Sequence, residues 1–262
     1  MESSKGTEVV VNYLKKIAQH TEPKPSYYVT VTGKDSRLQT SFNPPLIFPS
    51  ECGYEIALVG LETYYSFPNI DKKNNKVQFS LDKGQTWKVL AIPTGCYEIK
   101  AINSTLKRLI KENGGKEEYL CLTPNRSTLQ SILTITKEIW INFKGENGTL
   151  RTVLGFEEEI LKKPGRHESE HIVNILRVNT IFVHCDVVKL SRKNGIASPI
   201  IYTFFPNVSP GQKIVNRPRN LIYLPLSLSV ISQMTVWLTD EEDNALDTRK
   251  EQLTLTFHIR SC

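Results

Sequence analysis

Residues 252–259, which read QLTLTFHI, decide the fold class. Apolar residues occupy every second position of this stretch, and polar residues fill the positions between them. Successive side chains of a β-strand point to opposite faces of the sheet, so the alternation predicts a strand with one buried and one solvent-facing side. Half-buried strands of this kind are typical of antiparallel sheets.

Further β-rich runs recur along the chain, enriched in Val, Ile, Thr, Tyr and Phe, which suit a pleated surface. They cover residues 27–32, 56–64, 76–81, 86–92, 129–136, 139–143, 172–190, 199–205, 226–230 and 234–238. Turn sequences such as DKG at 82–84 and KNG at 193–195 separate neighbouring runs. Many short strands without alternating helices favour a sandwich or barrel over a Rossmann-type fold.

One helix is predicted between Tyr97 and Asn113. Its apolar residues recur at helical spacing, and Gly114 and Gly115 end it. A weaker amphipathic pattern over residues 8–18 precedes the PKP sequence at 23–25 and indicates an N-terminal arm.

Composition and charge exclude several classes of protein. The chain has 262 residues, of which 39% are hydrophobic and 23% charged, as in globular rather than disordered proteins. No apolar run is long enough for a membrane helix, and the sequence starts without a secretory signal pattern. Five cysteines without CxxC spacing predict free thiols in a cytosolic or nuclear setting.

Candidate metal or catalytic residues are few. Residues 167–171 read HESEH, but a zinc site of this pattern needs a helix. The preceding KKPGR sequence instead predicts a charged, solvated loop. In a strand, His184 and Asp186 share one face and Cys185 takes the other, which indicates a core thiol beside a surface pair. His258 is expected to be exposed. We therefore expect no catalytic residue, cofactor or metal.

The charge distribution is more informative than the net charge of +6. No Asp or Glu occurs in residues 187–239, which form the basic tract. Its cationic residues are Lys189, Arg192, Lys193, Lys213, Arg217 and Arg219. They predict an electropositive surface for a neighbouring subunit or for a polyanion such as packaged DNA. Ordinary solvated loops remain the alternative interpretation, as they do for the acidic clusters at 157–159 and 240–243.

Several segments, taken in order, resemble one family. They are YEIALVGLET at 54–63, GCYEI at 95–99, LRTVLGF at 150–156, YTFFP at 202–206 with PG at 210–211, VWLTD at 236–240 and LTLTFHIR at 253–260. In this order they resemble the minor capsid, or penton, protein of Polinton/Maverick elements, adintoviruses and related virophages. The resemblance spans about residues 27–260.

The resemblance implies a structural, non-enzymatic protein of the virion. It implies a jelly-roll fold, a homopentamer at icosahedral vertices and contact with a double-jelly-roll major capsid protein. Assembly is expected inside the host cell, in nucleus or cytoplasm, without secretion or membrane insertion. The family's usual glycine near the final turn is replaced here by Glu242-Asp243-Asn244, where Asn244 is expected to adopt the turn conformation.

Pattern and resemblance together predict an all-β protein, a jelly-roll β-sandwich with one inserted helix and a short N-terminal arm. The arm comprises residues 1–25 and the jelly-roll capsid domain residues 26–262. A division near residues 157–171 stays open, because a polar stretch falls there, although no internal repeat supports two halves.

Two functions of other classes stay open. A β-sandwich ligand- or glycan-binding module would use exposed aromatic side chains such as Tyr64, Tyr65 or Trp87. A cupin-type metal enzyme would cluster its histidines in short strand motifs, whereas the five histidines here are dispersed.

Overall fold

The computed structural model describes residues 26–49, 53–175 and 178–262, so the arm expected over residues 1–25 lies outside the described residues. The helices of the described part are α1 (Ile99–Glu112) and α2 (Leu150–Leu154), with 3-10 turns at Glu117–Tyr119 and Glu146–Gly148. Its strands are β1 (Ser26–Gly33), β2 (Arg37–Ile47), β3 (Tyr54–Tyr64), β4 (Lys76–Ser80), β5 (Lys88–Ala91), β6 (Leu120–Asn125), β7 (Gln130–Ile135), β8 (Trp140–Asn142), β9 (Ile160–Leu161), β10 (Gly165–Glu168), β11 (Ile181–Cys185), β12 (Arg192–Lys193), β13 (Ile196–Ala197), β14 (Ile200–Phe204), β15 (Lys213–Asn216), β16 (Leu224–Pro225), β17 (Val230–Thr239) and β18 (Leu253–Ser261).

Eight of these strands form a jelly-roll sandwich. The first sheet has the order β1-β18-β3-β15, and the second has the order β14-β11-β17-β2. These eight strands can be renumbered one to eight in chain order. The first sheet then contains strands one, eight, three and six, and the second sheet contains strands five, four, seven and two. The short strand β16 also pairs with β3 and is the fifth strand of the first sheet. The exchange of the eight longer strands between two antiparallel sheets is the jelly-roll topology, and it confirms the predicted fold class.

The alternation that predicted β18 is what builds the sandwich core. Leu253, Leu255, Phe257 and Ile259 are buried, and Phe257 lies opposite Val29 of β1 and Leu58 of β3. The register of β1 against β18 is continuous over all eight residues of β1. Because a slip of one residue would turn every apolar side chain outward, burial of one face fixes this register.

A second group of buried residues lies between β3 and β11 in the chain. It comprises the sheet β5-β4-β8-β9, the sheet β10-β7-β6 and the buried stripe of α1. Asn103 of α1 accepts a hydrogen bond from the Leu122 backbone N–H of β6 at 2.8 Å, so the helix is fixed against that sheet. The predicted helix is confirmed. The region around it also contains seven strands, β4 to β10, with a hydrophobic cluster separate from that of the sandwich.

Four local expectations are wrong. The strand expected over 226–230 does not form, because β16 ends at Pro225 and β17 begins at Val230. The loop expected around HESEH is in part a strand, because Gly165–Glu168 pairs with β7 as β10. In the described residues of the long run at 172–190, only β11 is a ladder strand of the sandwich. In the final turn it is Asp243, with φ of 65°, that adopts the left-handed conformation rather than Asn244. The Asp240 carboxylate accepts the backbone N–H of Asn244 at 2.8 Å and so closes the turn from the other side.

Candidate assembly surface

The sandwich has two flanks, each made of two edge strands. The first flank consists of β1 and β2, which follow each other in the chain and end the two sheets on one side. The second flank consists of β14 and β15, joined by the Tyr202 hydroxyl, which donates to Asn216 Oδ1 at 3.0 Å. The two residues of β16 pair with the other end of β3. Edge strands leave backbone groups unpaired, so the flanks are the natural contact surfaces of this fold.

On the second flank, Lys213 is neutralised by an acid from the neighbouring strand. Its Nζ lies 2.6 Å from Glu62 Oε2 of β3, and both side chains are partly exposed. The hydrogen bond and the charge of Lys213 lower the pKa of Glu62, and the same contact raises the pKa of Lys213. Arg217 also favours the charged form of Glu62, so two cations surround one carboxylate here.

Lys193, in the hairpin of β12 and β13, contacts residues of its own chain outside that hairpin. Its Nζ donates to Asp243 Oδ1 at 2.8 Å and to the Glu241 carbonyl at 2.8 Å, and it lies 4.4 Å above the Phe182 ring. The Lys193 side chain is only 17% exposed. It therefore fastens the hairpin to the second sheet and is not available to a polyanion.

The basic tract thus does not form one continuous cluster. Lys189, Arg192, Arg217 and Arg219 are exposed, and Arg192 donates to the Gly195 carbonyl of its own hairpin. The structure brings Lys213 and Arg217 together at the second flank but separates them from the Lys193 hairpin on the other sheet. Sequence reasoning missed the partners, because Glu62 and Asp243 both lie outside the tract.

The triplet at 184–186 has one residue in an unexpected place. Cys185 lies in the sandwich core, and burial raises the pKa of its thiol to about 12, so it is no nucleophile at neutral pH. Asp186 accepts the Thr235 backbone N–H at 2.9 Å. His184 faces away from the core as predicted, yet it is only 4% exposed. The surface position expected for it is wrong.

His184 is covered on the outer face of the second sheet. Its ring stacks on Trp237 with centroids 5.0 Å apart, and its Nε2 lies 2.9 Å from Thr239 Oγ1. Its Nδ1 is buried without a hydrogen-bond partner among the described residues. Burial lowers its pKa, an effect that Asp243 opposes and Lys193 reinforces.

The two HESEH histidines have different contacts. His167 Nε2 lies 2.8 Å from the Lys163 carbonyl oxygen, whereas His171 Nε2 lies 2.6 Å from Glu157 Oε1. In the described part of the chain, no group of three or more His, Cys, Asp or Glu side chains is placed to hold a metal ion. No helix within residues 26–49, 53–175 and 178–262 is long and apolar enough to cross a membrane.

Of the aromatic residues suggested for ligand binding, Tyr64 and Tyr65 lie at the end of β3 and Trp87 directly precedes β5. Tyr65 lies in the sandwich core and Tyr64 is 39% exposed. Sequence reasoning missed another aromatic group on the outer face of the first sheet. There the Tyr223 hydroxyl lies 2.7 Å from Nδ1 of half-buried His258, whose ring centroid is 4.9 Å from that of exposed Tyr28.

No protein-family model matches the chain, and no curated protein matches it. Among solved structures it is similar to the mavirus penton protein at 13% identity and a TM-score of 0.49, over 91% of this chain and 100% of that one. A second likeness is to the D2–D3 domains of the flagellar cap protein FliD from Escherichia coli, at 10% identity and a TM-score of 0.16, over 83% of this chain and 100% of that one. Both scores are low, so the jelly-roll assignment stands on the strand order of the chain itself.

Proposed function

We propose that this chain is a structural capsid protein, a penton that forms closed homopentamers at the icosahedral vertices of a Polinton-like virus particle. The observation that carries the proposal is the strand order of the two sandwich sheets, a topology that viral capsid proteins share with lectins and cupins. Because a fold hosts several functions, the choice among these classes needs further support.

That support comes from where the family-like segments lie in the fold. The segment at 54–63 forms most of β3, and the segment at 253–260 forms most of β18, its neighbour in the first sheet. The segments at 202–206 and 236–240 end β14 and β17 of the second sheet. These four segments therefore follow strands of both sheets, whereas the segments at 95–99 and 150–156 lie in the region of β4 to β10.

The proposed partners are further copies of this chain and a double-jelly-roll major capsid protein. A five-fold ring needs a heterologous contact, in which one flank of a subunit meets the opposite flank of the next. The two flanks of the sandwich differ in sequence and length, which suits such a contact. Arg217 and Arg219, which are exposed, are the proposed contacts to packaged DNA or to an acidic neighbour.

Co-expression with the major capsid protein of the same element tests the proposal. Purified shells should contain this chain at their five-fold vertices, visible as an added density by cryo-electron microscopy. Shells that close with empty vertices while the chain stays in the soluble fraction would contradict the vertex role. Specific glycan binding by such a chain would favour the ligand-binding sandwich.

Charge reversal tests the basic contact separately. R217E/R219E should lower the DNA retained by purified shells, and the difference from the wild type should be largest at low salt and shrink as salt screens the contact. K72E/K73E makes the same charge change at two exposed residues of the turn before β4 and serves as the matched control. Equal DNA retention in the two variants would show that Arg217 and Arg219 do not contact DNA.

A further inference from the structure

The four edges of the sandwich are protected to very different degrees. An open edge is a template for another strand, and natural proteins block it with prolines, charges, bulges or short length. On β2, Pro44 and Pro45 lie within the strand and a bulge interrupts its pairing with β17. On β14, a bulge interrupts the pairing with β11. The pairing of β15 with β3 is unbroken, and its four residues limit an added ladder to that length without blocking it.

β1 has none of these devices. Its sequence SYYVTVTG contains no charged residue and no proline, and its register against β18 is unbroken. Among the described residues it pairs only with β18, so its outer edge remains open. Val29 and Val31 are buried while Tyr28, Thr30 and Thr32 are exposed, so an added strand would simply continue the sheet.

We propose that the open edge of β1 pairs with β15 of a second copy of this chain. This inference rests on the proposed function and names the contact by which the ring closes. Neighbouring strands of the first sheet are all antiparallel, so β1 and β15, at its two ends, run in opposite directions. A rotation that places β15 of one subunit beside β1 of the next therefore gives an antiparallel ladder, and repetition closes a ring.

The charge of β15 is compatible with this contact. Lys213 is its one charged residue, and Glu62 neutralises it at 2.6 Å. Val215, on the outer face like Lys213, is 49% exposed and offers apolar surface to Thr30 or Thr32. Within Lys213–Asn216, an incoming uncharged strand thus meets no unpaired charge, and exposed Arg217 lies directly after the strand. Pairing of β1 with another β1 would instead give a two-fold dimer.

The first test places charges at the edge and compares them with equal charges one strand further in. T30K/T32K puts two lysines on β1, and T256K/T254K puts them on the residues directly opposite in β18. We expect the edge variant to need about tenfold more protein for half-assembly than the wild type, a change of about 1.4 kcal/mol. The β18 variant should reach half-assembly at a protein concentration closer to that of the wild type. Equal effects of the two variants would overturn the edge contact.

The second test is intersubunit cross-linking. V215C is combined with Y28C, T30C or T32C, which covers ladder registers that differ by two residues. Directly opposite residues in a ladder lie within disulfide distance, so one pair should give reducible multimers of up to five chains. The single variants measure the background from the native cysteines.

Each outcome separates the pairing from the proposed function. Rings that form without a cross-link in any of the three pairs would overturn the pairing and leave the capsid role intact. Dimers from T30C alone would show β1–β1 pairing instead. A wild-type chain that stays monomeric would also overturn the pairing, and vertex occupancy in co-expressed shells would then decide the function.

Discussion

Buried His184 should make the stability of this protein pH-dependent, and H184F should remove that dependence. The phenylalanine keeps the stack on Trp237 and removes both the titrating ring and its unpartnered Nδ1. It also loses the contact with Thr239 Oγ1, worth about 0.5–1.5 kcal/mol as a hydrogen bond. At neutral pH the variant should therefore lie within about 1.5 kcal/mol of the wild type.

The sign of the pH effect follows from burial. Burial lowers the pKa of His184 below its usual 6.5, so below that pH the unfolded chain binds a proton that the folded chain does not. The stability contributed by neutral His184 is present above pH 6.5 and is lost as the pH falls towards the lowered pKa. One proton changes the free energy of unfolding by at most about 1.4 kcal/mol per pH unit.

Urea unfolding between about pH 5 and about pH 7.5 measures this difference. The stability of H184F relative to the wild type should rise as the pH falls. T239V, which removes only the hydroxyl partner, should run parallel to the wild type at every pH. Parallel curves for H184F and the wild type would refute the reasoning, because His184 would then titrate alike in both states.

Three further predictions concern the hairpin, the core thiol and the core. K193M should speed proteolysis within the β12–β13 hairpin. It should lower the free energy of unfolding by about 1 kcal/mol or less, because Asp243 is largely exposed. Unchanged cleavage would show that the ion pair does not hold the hairpin. Cys185 should resist iodoacetamide at pH 8 in the folded protein and react after denaturation, because burial raises its pKa to about 12; mass spectrometry of labelled peptides checks this. F257A should lower the free energy of unfolding by about 3–5 kcal/mol, and a loss below about 1 kcal/mol would mean that the two sheets do not pack as described.

Local sequence patterns predicted the position of several strands and of the main helix. The period-two alternation located β18, and the helical stripe located α1 almost to its ends, because both signals depend on residues close in sequence. The family resemblance supplied the jelly-roll topology. The pairing of β1 with β18 joins the two ends of the described chain, and no periodicity encodes such a long-range register.

The second hydrophobic cluster could not be separated from the sandwich in advance. Its strands alternate in the same way as those of the sandwich, and only the three-dimensional contacts show that Phe79 and Phe257 belong to different clusters. The prediction of the basic surface was incomplete for the same reason, because it depends on contacts between residues far apart in the sequence. Lys193 and Lys213 were identified from local charge, but Asp243 and Glu62, which neutralise them, come from distant parts of the chain.

The mass of the purified chain in solution tests the central claim most directly. Native mass spectrometry across a range of protein concentrations should show a species of five 29.8 kDa chains that forms at the expense of the monomer. A chain that remains a monomer or a dimer at every concentration, and that also fails to occupy vertices in co-expressed shells, would contradict the assignment as a penton.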